Sequence, residues 1–229
     1  TGALNTALGM NSLANNTTAS YNVAIGVEAL FDCTEGGSNH AIGYQSLGDV
    51  TTGSGNVAMG YRSAYSMTTG LRNIYFGNQV AYNVASGNDN IVMGHQAMFC
   101  NSGTAGTGSA NIAMGYRSLF NNTTGNSSIG IGYQSLQDTT TATKNVAVGY
   151  GAGQRITTGE QNVAIGYEAG HNVTTVSNCA FVGRFAGYST TGGDNTFIGG
   201  NAGYLVTSGT RNTIIGRFSG NVGGGLDIR

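Results

Sequence analysis

The chain has 229 residues, 40 of them glycine, with no proline or tryptophan, and its 9 basic and 10 acidic side chains leave a net charge of −1. Collagen needs glycine at strict thirds and abundant proline, and an electrostatically expanded disordered chain does not carry 39% apolar residues. No apolar run approaches the roughly 18 residues of a membrane span, and so small a net charge provides no basic footprint for nucleic acid or for insertion at a membrane surface.

Read along the chain, one string keeps returning: NVAIGVEAL from 22, NVAMGYRSA from 56, NIAMGYRSL from 111, NVAVGYGAG from 145 and NVAIGYEAG from 162. A glycine closes the first half of each copy, from Gly9 and Gly26 to Gly199 and Gly216. Ten of the twelve intervals between these glycines are 17 residues, one is 21 and one is 16, so the repeat has a fixed length and runs throughout the chain. The longest interval contains Asn101–Gly108, rich in glycine, serine and threonine, which reads as a loop extruded between two copies. Residues 1–222 are therefore expected to form one repeat domain with an insertion near 101–108. The Gly-rich segment 223–229 reads as an exit toward a downstream domain.

The consensus, numbered from its opening asparagine, is N-V-A-I-G-Y-x-S-L-x-x-x-T-T-G-x-x. Slots 2–4 read as a strand ended by the slot 5 glycine. Slots 2 and 4 share one face of it because side chains alternate. Slot 2 is mostly Val or Ile and slot 4 is apolar in every copy, so these two are expected to fill the interior. A second extended stretch is expected through slots 6–10, followed by a T-T-G turn such as Thr51-Thr52-Gly53. Seventeen residues cannot hold two helices and two turns, and β-branched residues with frequent glycine disfavour helix. The expected fold is all-β: a parallel β-solenoid (β-roll) of thirteen ~17-residue coils, stacking at about 4.8 Å per coil into a rod on the order of 60 Å long.

Stacking assigns roles to the columns. The slot 1 residues Asn22, Asn39, Asn56, Asn73, Asn90, Asn111, Asn145, Asn162, Asn195 and Asn212 are expected to pass amide hydrogen bonds from coil to coil. Slot 17 brings Arg72 beside Asp89, and Asp194 beside Arg211. Small residues at slot 3, and at slot 8 (Ser46, Ser63, Ala97, Ser118, Ala152, Ala186), are expected to admit another backbone. That points to a closed cyclic homo-oligomer, a homotrimeric rod, with a solitary solenoid as the alternative.

The N-[ST]-x-A-[IL]-G core followed by Ala or Ser resembles the head repeats of trimeric autotransporter adhesins, which form left-handed parallel β-rolls on a shorter repeat. The N-T-T turns (Asn16-Thr17-Thr18, Asn122-Thr123-Thr124) and the closing 223–229 segment are similar to repeats of bacteriophage tail-fibre and related virion proteins. The resemblance covers essentially the whole chain. It implies a structural, homotrimeric fibre segment on a virion or extracellular surface, in contact with host receptors or cell-surface glycan. The alternative it implies is a bacterial trimeric adhesin head.

Chemistry is sparse. His40, His95 and His171 occupy slots 2, 6 and 10 of distant coils and do not converge on a metal. Cys33, Cys100 and Cys179 lie several coils apart, beyond disulfide reach. No nucleotide, nucleophile or zinc spacing is present, so no cofactor and no catalysis are expected. Asp32 and Asp49 share slot 11 of consecutive coils and read as solvated turn residues; a glycan depolymerase acid pair is the minor alternative. Aromatic residues at slot 10, Tyr65, Tyr82, Phe99 and Phe120, could stack on sugar rings or cover the roll edge. The slot 6 tyrosines invite the same reading. A threonine column at slots 13–14 raises ice binding as a further minor reading.

Overall fold

A computed structural model describes residues 2–101 and 103–220 of the chain. Each copy of the repeat contributes one three-residue strand at slots 2–4, from β1 (Thr6–Leu8) to β13 (Thr213–Ile215). The thirteen strands form a single parallel sheet in sequence order. Its register pairs equivalent slots, as Val23 with His40, Ala24 with Ala41 and Ile25 with Ile42. The described residues contain no helix, and the fold is a β-solenoid. The 223–229 segment lies outside the described residues.

The expected second strand through slots 6–10 is absent: that stretch is a chain of turns. Its residues at slots 7 and 9 take left-handed dihedrals even where they are not glycine, as at Glu28 (φ 57°) and Leu30 (φ 51°). Such residues cost roughly 1 kcal/mol or more each against the right-handed form. The cost is offset by inter-coil bonds that these dihedrals permit. The Glu28 N–H donates to the Met10 carbonyl (2.9 Å), that of Leu30 to Ser46 (3.1 Å), and that of Asp32 to Gly48 (2.9 Å). The return path thus contracts to fit the short coil while its amides still bond to neighbouring rungs.

The strand faces are also inverted relative to expectation. Slot 3 is buried (Ala24, Ala41, Ala58, Ala113 and Ala147 are fully enclosed), whereas slots 2 and 4 point outward. The reason is width. A coil of 17 residues leaves only a thin interior between the strand and the return path; alanine fills it in most copies, and larger side chains such as Val92, Tyr75 and Phe181 occupy the same slot in others. The slot 8 residues are enclosed in the same interior. Ser46 Oγ donates to the Ala58 carbonyl (3.1 Å) and Ser118 Oγ to that of Gly130 (2.8 Å), tying the return path to the next strand. Small residues at slots 3 and 8 therefore mark this chain's own core, not the approach of a second chain.

Slot 12, featureless in the consensus, is a further buried column that includes Val50, Met67, Val84, Ile156, Val173 and Val206. Volume is conserved across columns. Where slot 3 enlarges to Tyr75, slot 9 shrinks to Ala64 and Ala81. Where it enlarges to Phe181, slot 9 is Gly170 and Gly187, and a Cβ on Gly170 would stand 2.8 Å from the Phe181 ring. Gly153 makes room instead for Ile156 and Leu136. These swaps hold core packing near constant, the condition under which cores tolerate substitution.

Two columns use backbone chemistry. At slot 5 only glycine is tolerated: Gly166 has φ +130°, and a Cβ there would lie 2.7 Å from the Gly183 carbonyl of the next coil. At slot 1 the asparagines from Asn22 onward are buried and form a ladder interrupted at Ser128 and Cys179. Asn73 Oδ1 accepts the Asn90 backbone N–H (2.9 Å) and Asn90 Nδ2 (3.0 Å), while Asn73 Nδ2 donates to the Gly87 carbonyl (2.7 Å). Where Ser128 interrupts the ladder, its Oγ accepts the Asn145 N–H (3.2 Å). Each buried rung amide therefore finds a partner.

The inserted loop rejoins the coil at Gly106, whose N–H donates to the Asn83 carbonyl (2.9 Å). Of the two expected ion pairs, Arg72 and Asp89 form a bidentate contact at 2.7 and 2.9 Å. Asp194 does not pair with Arg211 among the described residues; it accepts from Asn178 Nδ2 at 3.2 Å.

Candidate functional site

The rod carries two ring columns, both on the return path. At slot 10, Tyr65, Tyr82, Phe99 and Phe120 stack face to face with centroids 5.3–5.4 Å apart. Parallel in-register coils impose this, because equivalent side chains stand one rung apart. The first three are half-buried and Phe120 is buried, so the column presents ring edges with limited face area. At slot 6, Tyr44 stacks on Tyr61 (5.4 Å), and His95, Tyr116, Tyr133, Tyr150 and Tyr167 form an unbroken stack at 4.8–5.6 Å. These tyrosines are more exposed, Tyr150 and Tyr167 reaching 46%.

Arginines at slot 7 join the columns. The Arg62 guanidinium lies over the rings of Tyr44, Tyr61 and Tyr65 at 5.4–5.8 Å, and that of Arg117 over Tyr116 (5.2 Å) and Phe120 (4.9 Å). Stacking over a ring face is a cation–π contact worth about 0.5–1 kcal/mol where exposed. Their amide neighbours form a ladder of their own, in which Gln45 Nε2 donates to Glu28 Oε2 (2.6 Å) and Arg62 Nε to Gln45 Oε1 (2.7 Å). The consensus leaves slot 7 open, so neither the arginine bridges nor this ladder was foreseen. The alternation of Gln with Arg or Glu along that column is the signal that could have found them.

The slot 10 column is broken once between Phe31 and Tyr65, at Gly48. The break opens a cavity of about 190 Å³ lined by Glu28, Phe31, Asp32, Gln45, Gly48, Asp49 and Tyr65. The two slot 11 aspartates do meet there. Burial, and secondly the charge of Asp32, push the Asp49 carboxyl above its ordinary range. The charge of Asp49, then burial, push the Tyr65 phenol upward.

Other expected sites stay dispersed. The three histidines remain on separate coils, and no group of three or more metal-binding side chains occurs among the described residues. The three thiols are free and buried; burial raises Cys33 to about 11 and Cys100 to about 12. The slot 13 threonine hydroxyls are committed to the neighbouring rung, as Thr51 Oγ1 to the Thr68 carbonyl (3.3 Å) and Thr123 Oγ1 to that of Thr140 (2.9 Å).

Comparison with family sequence models, with curated proteins and with solved structures finds no match to the chain. No helix among the described residues is long and apolar enough to cross a membrane.

Proposed function

We propose that the chain is a structural segment of a bacteriophage tail fibre, a rigid homotrimeric rod whose aromatic side contacts host-surface polysaccharide. The observation that carries the reading is the outward face of the sheet. Slot 4 places an apolar side chain on each of thirteen consecutive strands and slot 2 a Val or Ile on eight of them, and Met59, Ile131, Ile165 and Ile198 at slot 4 are 37–42% exposed in the isolated chain. Three residues of strand and twelve inter-strand steps make a strip about 10 Å wide and about 58 Å tall. Its projected area, roughly 600 Å², approaches the ~800 Å² per partner of a stable protein interface. Exposed apolar patches of this size mark interaction surfaces.

Copies of the same strip meeting around an axis parallel to the rod would bury it by cyclic symmetry. The resemblance to fibre and adhesin repeats supplies the number three. The rings of slots 6 and 10 lie on the return path, where their exposed edges can pack against the C–H surfaces of sugars.

The test is a pair of outward charges, Ile131→Glu with Ile165→Glu. Both side chains point away from the core, so the variant is expected to keep the β-rich circular dichroism of the parent and to sediment as a monomer. A variant that stays assembled would remove the strand face from the interface.

A further inference from the structure

The cavity at Gly48 has the dimensions of a missing ring. Neighbouring rings of its column stack at 5.3–5.4 Å, so a rung without a ring leaves roughly 10 Å between the slot 10 positions on either side, less the lean of the Tyr65 ring over Gly48. One inserted ring leaves about 5 Å to each side, within the 4.5–7 Å at which rings make contact. The volume of about 190 Å³ is below the ~300 Å³ at which drug-sized pockets begin, and suits a single sugar ring.

The polar lining has a consistent chemistry. Glu28, Asp32 and Asp49 offer carboxylate acceptors, and no cationic side chain lines the cavity. Asn15 Nδ2 holds Asp32 Oδ1 (2.8 Å) and Gln45 Nε2 holds Glu28 Oε2 (2.6 Å), which orients two of the three. Asp49 accepts no side-chain hydrogen bond among the described residues, so its oxygens are open to an incoming donor. The surrounding charge agrees: residues 1–61 contain four acidic side chains and no Lys or Arg.

We propose that the gap at Gly48 is a subsite for one pyranose residue of a glycan without acidic groups, its ring held between Phe31 and Tyr65 and its hydroxyl or amine hydrogens donated to Asp49 and Asp32. The proposal deepens the glycan-contact part of the reading above. Every lining residue comes from three successive coils of one chain, so a monomeric chain would sink the trimeric rod and leave this subsite standing.

The test titrates the purified full chain with methyl glucoside, glucosamine and glucuronate, and follows the Phe31 and Tyr65 ring resonances. Saturable shifts are expected with the first two sugars, glucosamine binding at least as tightly, and at least tenfold weaker binding with glucuronate. Gly48→Phe should restore the stack and reduce affinity for both sugars at least tenfold. A Cβ at residue 48 would lie 3.0 Å from Cδ2 and Cε2 of Tyr65, which must yield by a few tenths of an ångström. Asp49→Asn, which leaves the rings in place, is a second variant and should weaken glucosamine binding about tenfold, the scale of one hydrogen bond to a charged group. Absence of saturable shifts with both methyl glucoside and glucosamine, undiminished binding by either variant, or shifts produced by calcium alone would overturn the proposal.

Discussion

Tyr75 shows how tightly the core constrains single side chains. It occupies an alanine slot, is fully buried, and among the described residues its hydroxyl meets the Asn90 side chain without a hydrogen bond of full geometry. Burial pushes the phenol well above its ordinary range. An unsatisfied buried hydroxyl costs about 1–3 kcal/mol. Tyr75→Phe is therefore expected to stabilise the chain by about 1 kcal/mol in chemical denaturation, and a loss of stability would show that the hydroxyl is satisfied. The thiols make a second residue-scale case. Burial holds Cys33 near 11 and Cys100 near 12, so at pH 8 only about one Cys33 thiol in a thousand is ionised. Alkylation by iodoacetamide should run at least about a hundredfold slower in the folded chain than in denaturant, and comparable rates would contradict the enclosed core.

The single rung is the element of this protein, and its stability rests on hydrogen bonds between rungs, since each strand is only three residues long. Asn73→Ala removes an acceptor from the Asn90 amide and a donor from the Gly87 carbonyl, both buried. The expected cost is about 2–4 kcal/mol, read as a lower denaturation midpoint with an unchanged denaturant slope. Loss below about 0.5 kcal/mol would mean that the ladder is incidental. The period, the strand at slots 2–4, the slot 5 glycine and the asparagine column were legible in the sequence, because repetition averages out local noise. The return path was not legible. Its left-handed residues are mostly not glycine, as at Leu30, Glu28 and Gln45, and no residue preference announces them. The facing of the strand was misread because alternation defines two faces without saying which is inside. Ala24 and Ser46 suit a thin interior as well as a close approach by a second chain, and coil width decides between them. The cavity at Gly48 was not anticipated: a ringless slot 10 is written in the sequence, but only stacked coordinates show that Phe31, Tyr65 and the slot 11 aspartates surround it.

At the scale of the whole molecule, the inversion of the strand changes what the chain asks of its neighbours. With alanines inward, the Val, Ile and Met side chains that a globular protein would enclose lie along the outside of the rod, opposite a return path of rings, amides and turns. One side is thus apolar and continuous over thirteen rungs and the other is polar and aromatic, the division expected of a strut that assembles through one side and meets its surroundings with the other. Charge follows the axis as well, with four acidic and no basic side chains in residues 1–61 and an excess of basic ones beyond. The proposed trimer buries the strand face between copies of the chain. Sedimentation equilibrium of the purified chain decides the matter: a trimer gives a species of about three times 23.3 kDa, and a stable monomer of 23.3 kDa would rule it out.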